Sequence, residues 1–244
     1  MNKKNNYYKI TGSLDVPTAI IIAGAIISIS LIYALGKNSG SNSSAPLAQI
    51  KDAVIENKSF KNAKLVTNED HIFGDPQAPI TIIEFSDTEC PFCKKFHETM
   101  HQIVKDYDGK VAWVYRHFPL DSLHSKARKE ALATECAANL GGNAKFWAYL
   151  DRLVEITPSN DGLDLEELPR IAKYIGLDIE KFNSCLNSGK LDNLVEAQYQ
   201  DGLTAGAEGT PYSIIIKNGE PVNTIEGAYP YGSIKQSIDK ALAL

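Results

Sequence analysis

Cysteine is scarce in this 244-residue chain, with four in all: Cys90, Cys93, Cys136 and Cys185. There is one C-x-x-C and no second, which removes the paired-knuckle type of zinc site. Basic residues do not predominate. Against 25 Lys and Arg stand 30 Asp and Glu, and a net charge of −5 argues against a nucleic-acid surface. No internal repeat is present, so repeat architectures drop out. Charge is missing altogether from Val16 to Gly36, "VPTAIIIAGAIISISLIYALG". A helix of ~20 such residues crosses the hydrocarbon core of a bilayer.

Lys3, Lys4 and Lys9 precede that run, and Asp15 is the only acid there. The positive-inside rule then makes 1–15 a cytoplasmic tail and 16–36 a transmembrane signal anchor, with the remainder outside the cell membrane. The alternative is a cleavable signal peptide cut near Ala34-Leu35-Gly36. Against it, the apolar core of a signal peptide runs only ~7–15 residues. An even cysteine count suits an exported, oxidising compartment.

What is present suits a globular domain, since apolar residues make up 43%. Residues 37–62 read as a linker and short helix, the polar "GKNSGSNSSAP" followed by a helical pattern over 47–60. Ala63 to Thr67 is a candidate first strand. "ITIIEF", Ile80 to Phe85, is an unbroken apolar and β-branched run, the pattern of a central strand buried on both faces. A helix follows from Cys90 or Pro91 to about Tyr107, with Phe96, Met100, Ile103 and Val104 as its apolar stripe. Lys110 to Phe118 is a strand, completing a βαβ unit.

From Ser122 to Gly206 only helices are predicted. Gly141-Gly142 ends one and Asn143 caps the next. Asp164 with Glu167 forms a capping box, Gly176 is a C′ residue, and Asp178 begins another helix. Two strands around Asn218-Gly219 then form a hairpin, and a helix closes the chain.

This plan, with C-P-x-C opening a helix, resembles the DsbA-like thiol–disulfide oxidoreductases. The residues that carry the resemblance are "APITIIEFSDTECPFC", "HFPLDSLHSKA", "ECAANLGGNAKFW", "GLDIEKFNSCLNSGK" and "GTPYSII". It implies an α/β chain: a thioredoxin fold with an inserted all-helical domain, plus the N-terminal transmembrane helix. The two halves of the fold would be 63–121 and 207–244, and the insertion 122–206. It also implies a redox centre made of Cys90 and Cys93 with no bound cofactor and no metal.

A thiol reacts as its thiolate, and the tip of a helix stabilises negative sulfur. Cys90 is therefore expected to be the exposed, reactive cysteine and Cys93 the shielded one. Pro91 and Phe92 lie between them. The best-known oxidases carry His where Phe92 stands, and Phe92 supplies neither charge nor hydrogen bond, so a milder oxidant is expected. Glu84 matches the position of a buried acid that would relay protons to Cys93; the alternative is an outward-facing Glu paired with a Lys. The resemblance makes Pro211 a cis-proline beside the cysteines, with Thr210 binding substrate through its backbone. Some members carry a second disulfide, here Cys136–Cys185; two lone buried thiols are the alternative. His124 matches a His of the family and is expected as a surface residue at a helix start.

A zinc reading would draw on Cys90, Cys93, His97 and His101, the last three at helical i, i+4, i+8 spacing. Pro91 and the long helix fit the redox pair better, which leaves His97 and His101 as ordinary surface or groove residues. The expected activity is disulfide introduction into exported proteins with free cysteines. The expected partner is a quinone-linked membrane re-oxidase of DsbB or vitamin-K-epoxide-reductase type, with the enzyme a monomer. The alternatives are a reductase or isomerase, or a non-catalytic peptide-binding or chaperone module.

Overall fold

The unbroken apolar run at Ile80 predicts a strand covered on both faces, and the computed structural model of the chain, which describes residues 62–244, places it so. The expected tail, the membrane anchor at 16–36 and the 47–60 helix lie outside the described residues. Among those described, no helix is long and apolar enough to cross a membrane. The central strand pairs in parallel with Val111–His117 and antiparallel with Tyr212–Lys217. In chain order the strands are β1 (His71–Phe73), β2 (Ile80–Ser86), β3 (Val111–His117), β4 (Tyr212–Lys217) and β5 (Glu220–Glu226), lying in the sheet order β1-β3-β2-β4-β5. The β4–β5 turn sits at Asn218 and Gly219, with φ of 51° and 86°, left-handed values that Asn and Gly tolerate.

The helices are α1 (Pro91–Asp106), α2 (Ala127–Ile156), α3 (Glu167–Tyr174), α4 (Ile179–Leu186), α5 (Asp192–Thr204) and α6 (Tyr231–Ala243). Pro91 at the first turn of α1 needs no hydrogen-bond partner for its nitrogen. Phe96, Met100 and Ile103 of α1 pack on one face of the sheet with Trp113, Ile234 and Ile238. Ile83, Phe85, Val114 and Phe118 cover the other face, where α5 approaches so closely that a Cβ on Gly202 would stand 2.5 Å from Phe118. Helices α2, α3 and α4 share a third apolar cluster around Phe182, Tyr149 and Leu168. A βαβ half, a helical block and a ββα half thus follow in the expected order.

Three local expectations are corrected. Residues 63–67 form no strand: the carbonyls of Lys64 and Leu65 accept from the buried Arg116 guanidinium, and Lys64 N–H donates to Asp201. The edge strand is β1 instead, three residues long, with Phe73 against Trp113 and Trp147. Asp164 builds no reciprocal box with Glu167, because its carboxylate accepts from Glu166 N–H. Asn143 does not cap a new helix. Its amide donates to the Ile72 carbonyl; the expected helix end at Gly141-Gly142 is present, since both residues leave helical φ/ψ and α2 is two helices meeting at a kink.

A disulfide joins Cys136 of α2 to Cys185 of α4 across 49 residues, with Cα atoms 5.8 Å apart. Closing a loop of that length removes denatured-state entropy. The double variant Cys136→Ser/Cys185→Ser is expected to lose up to about 4 kcal/mol in denaturant unfolding. An unchanged midpoint would show that the bridge does not stabilise the fold.

Candidate functional site

The turn from β2 into α1 is built by one carboxylate. Asp87 accepts from Glu89 N–H at 2.8 Å, from Leu120 N–H at 2.7 Å, and contacts His124 Nδ1 at 3.0 Å. Its own carbonyl accepts from Cys90 N–H. Cys90 is thereby held in extended conformation as the N-cap of α1, and Cys93 sits one turn in. The expectation of a surface His124 is corrected. It is buried, and although burial alone would lower its pKa, the Asp87 carboxylate outweighs it and raises it.

The expectation of an exposed Cys90 is also corrected. Cys90 is 5% exposed and Cys93 4%, so accessibility hardly separates them. The loop that carries the cis Thr210–Pro211 bond lies across Cys90, whose sulfur is 3.5 Å from the Thr210 carbonyl. Exposure falls instead to Phe92, at 64%. Electrostatics separates the two sulfurs. The Cys93 thiol, hydrogen-bonding to Cys90, brings the Cys90 pKa down to about 6, helped by the Thr210 side chain and the backbone N–H groups of Cys93 and Phe92 and opposed by burial. Burial, and then the same hydrogen bond, push Cys93 well up. At neutral pH the reduced pair is a Cys90 thiolate beside a Cys93 thiol.

One buried carboxyl group, Glu84, lies beside the pair, and a second, Glu130, lies beside Glu89 in the turn before Cys90. Glu84 in mid-β2 faces Tyr115 and Ser213 in the strand register, is 1% exposed, and has one oxygen without a hydrogen-bond partner. Burial raises it to about 8. The outward-facing alternative is excluded by that position. Glu130 of α2 is fully buried beside Glu89, and burial with that neighbour pushes it up to about 9. The sequence reading missed Glu130, one of four acids in α2 with Glu135, Asp151 and Glu155, and nothing in its spacing singles it out. It also missed Asp87, which an Asx-turn reading of "SDTE" could have found.

His97 and His101 are not ordinary surface residues. His97 is buried, and both imidazoles meet Asp151 of α2. The thiol of Cys93 is not part of that cluster, so the zinc reading through Cys93 is corrected.

A family model described as thioredoxin matches residues 66–240. Among solved structures, DsbA2 of Pseudomonas aeruginosa aligns at 28% identity with a TM-score of 0.61, covering 71% of this chain and 95% of that one. Oxidised BdbD of Bacillus subtilis aligns at 21% identity and a TM-score of 0.64, covering 76% and 100%, a likeness of fold. Among curated proteins, a Na(+)/H(+) antiporter NhaA 1 of Mycolicibacterium gilvum is 32% identical over 144 residues, 58% of this chain and 22% of the relative. The chain thus spans about a fifth of the length of such relatives.

Glu84 makes stability depend on pH. Its folded pKa of about 8 lies above the ordinary 4.5, so its contribution is complete below 4.5 and is lost as pH rises toward 8. Relative to Glu84→Gln, the reduced wild-type protein should lose about 1.4 kcal/mol per pH unit across that window. Parallel stability curves for the two proteins would contradict a buried, protonated Glu84.

Proposed function

The chain belongs to the thioredoxin family and is a DsbA-type thiol–disulfide oxidoreductase, and from that premise we propose that it introduces disulfides into exported proteins through Cys90 and Cys93. The reading is carried by the cysteine pair at the tip of α1, with Cys90 as N-cap and its sulfur 3.5 Å from the Thr210 carbonyl; its pKa is brought down to about 6 while Cys93 is pushed well up. Such a pair donates its disulfide readily, because Cys90 is a stable thiolate once released. The redox group is the protein's own cysteines, with no bound cofactor.

In the oxidising direction a substrate thiolate attacks the Cys90 sulfur of the Cys90–Cys93 disulfide. The S–S bond breaks and its electron pair goes to Cys93. A mixed disulfide joins substrate to Cys90. In this reading the protonated Glu84 gives the Cys93 thiolate its proton, and the deprotonated carboxylate then takes one from water. A second substrate thiolate attacks the mixed disulfide and releases Cys90 as thiolate. Two electrons pass from the substrate dithiol to the pair. A quinone-linked membrane partner of DsbB or vitamin-K-epoxide-reductase type takes those two electrons and re-forms the Cys90–Cys93 disulfide, and a membrane anchor at 16–36 would hold the enzyme beside it.

The cleft of about 360 Å³ next to Thr210 and Pro211, lined also by Gly209, Tyr212 and Glu226, offers the substrate backbone a place to lie. The exposed Phe92 ring offers apolar contact. A Cys90 value of about 6 falls between ~7 for thioredoxin and ~3.5 for DsbA. The potential should therefore fall between about −270 and −120 mV, milder than DsbA. Antiport belongs to the curated relatives, of which this chain spans about a fifth.

The wild-type protein should refold reduced, scrambled-free RNase in the presence of oxidised glutathione, and Cys90→Ser should abolish this. Glu84→Gln should slow the exchange by about 100-fold or more, the usual scale for a lost general acid. Insulin reduction without RNase refolding would make the enzyme a reductase, and activity independent of Cys90 would leave only a peptide-binding module.

A further inference from the structure

Outside the redox centre, residues 97–101 of α1 read H-E-T-M-H, two imidazoles one helical turn apart. Asp151, on the second half of α2, meets both. Its Oδ1 lies 2.8 Å from His97 Nε2 and 2.9 Å from His101 Nε2, and the two Nε2 atoms are 3.1 Å apart. Three donor atoms from two helices therefore converge on one point.

Protons cannot satisfy this triangle. A carboxylate only accepts, so both Nε2 atoms must carry hydrogen to bond it. The two N–H groups then face each other with no bond between them. If either Nε2 is bare, its lone pair meets the lone pairs of Asp151 at under 3 Å. With Asp151 ionised, one edge stays unfavourable whichever Nε2 atoms carry hydrogen, whereas a cation at the centre satisfies all three lone pairs at once.

The size fits. Zinc with ligands at ~2.0–2.1 Å and tetrahedral angles sets neighbouring donors about 3.3 Å apart, so the triangle need only open by a few tenths of an ångström. Two imidazoles and one carboxylate suit first-row divalent ions, whereas calcium and magnesium take oxygen ligands. The rings are held on the far side by Phe73, 4.4 Å from His101, and by Trp113, 5.1 Å from His97. Exposure is graded: the side chains of His97, His101 and Asp151 are 8%, 29% and 44% exposed, so one side opens to water.

We propose that His97, His101 and Asp151 bind a first-row divalent cation, zinc foremost, with its remaining position open to solvent. The ion ties α1, which carries the redox cysteines at its tip, to the helical block through α2. Its binding is independent of thiol chemistry, so it stands or falls separately from the disulfide-exchange reading.

The test uses the full chain in its oxidised form, in which Cys90 and Cys93 offer no thiol. After chelator stripping, the protein is equilibrated with zinc, bound metal is counted by atomic emission, and affinity is followed through the fluorescence of Trp113 and Trp147. Cobalt, nickel, ferrous iron, calcium and magnesium are run alongside. One zinc or other first-row ion per chain is expected. Asp151→Asn, at a half-exposed position, and His101→Ala should each weaken it more than about 100-fold, beyond the 10–100-fold typical of an outer-shell loss. If His101→Ala fails to fold, Asp151→Asn decides alone. Undiminished binding in the folded variants, the absence of stoichiometric binding, or a preference for calcium or magnesium would each overturn the proposal.

Discussion

The chemistry of this protein depends on the effect of the Cys93 thiol on its neighbour, whose pKa it brings down to about 6. Cys93, one turn inside α1, donates toward Cys90 and is the largest single reason that Cys90 ionises near 6. The helix tip contributes through the backbone N–H groups of Phe92 and Cys93, but these come after the neighbouring thiol. The asymmetry is reciprocal, since holding the proton that stabilises Cys90 is part of what keeps Cys93 neutral. As whole residues the two cysteines are about equally buried, and what separates them most clearly is electrostatic: Cys90 is lowered and Cys93 pushed well up.

The surrounding structure maintains that arrangement. Asp87 fixes the turn that presents Cys90, and it does so through the Leu120 backbone and His124, both beyond β3. The Thr210–Pro211 segment closes over the sulfur from the start of β4. Glu84 of the central strand keeps a buried proton beside the pair, and Glu130 of the helical block keeps one beside Glu89. Burying carboxyl groups without a cation to pair them costs stability unless they stay protonated. A proton source at the base of the pair is what that cost obtains. The sheet and helical block are therefore not a passive frame. The sheet supplies Glu84 beside the sulfurs, and the helical block sets Glu130 beside Glu89, which precedes Cys90.

How much of this was legible in sequence follows from how local each signal is. The central strand, the stripe on α1, the Asn218-Gly219 turn and the C-x-x-C motif are all written in consecutive residues, and the fold expected from them has the observed order of elements. Glu84 was legible because it is the one charged residue in the otherwise apolar and β-branched stretch "ITIIEF". The three-residue β1 was not, since a strand that short has no periodicity, and the true strand at His71–Phe73 lost to a longer run at 63–67. That run is loop because Arg116, far along the chain, takes its carbonyls. Asp151, Glu130 and His124 act across the fold, and no spacing rule connects them to residues in α1 or β2. The source of the Cys90 shift was misjudged for a similar reason. A dipole can be read from a helix start, whereas the direction of one thiol toward another cannot.

The central claim is tested most directly by titrating the Cys90 thiolate, through its ultraviolet absorbance, in the reduced wild-type protein and in Cys93→Ala. The account predicts a Cys90 pKa of about 6 in the wild type, moving well up toward the ordinary thiol value once its hydrogen-bond donor is gone. A value that stays near 6 in Cys93→Ala would contradict it, because the helix tip alone would then be holding the charge.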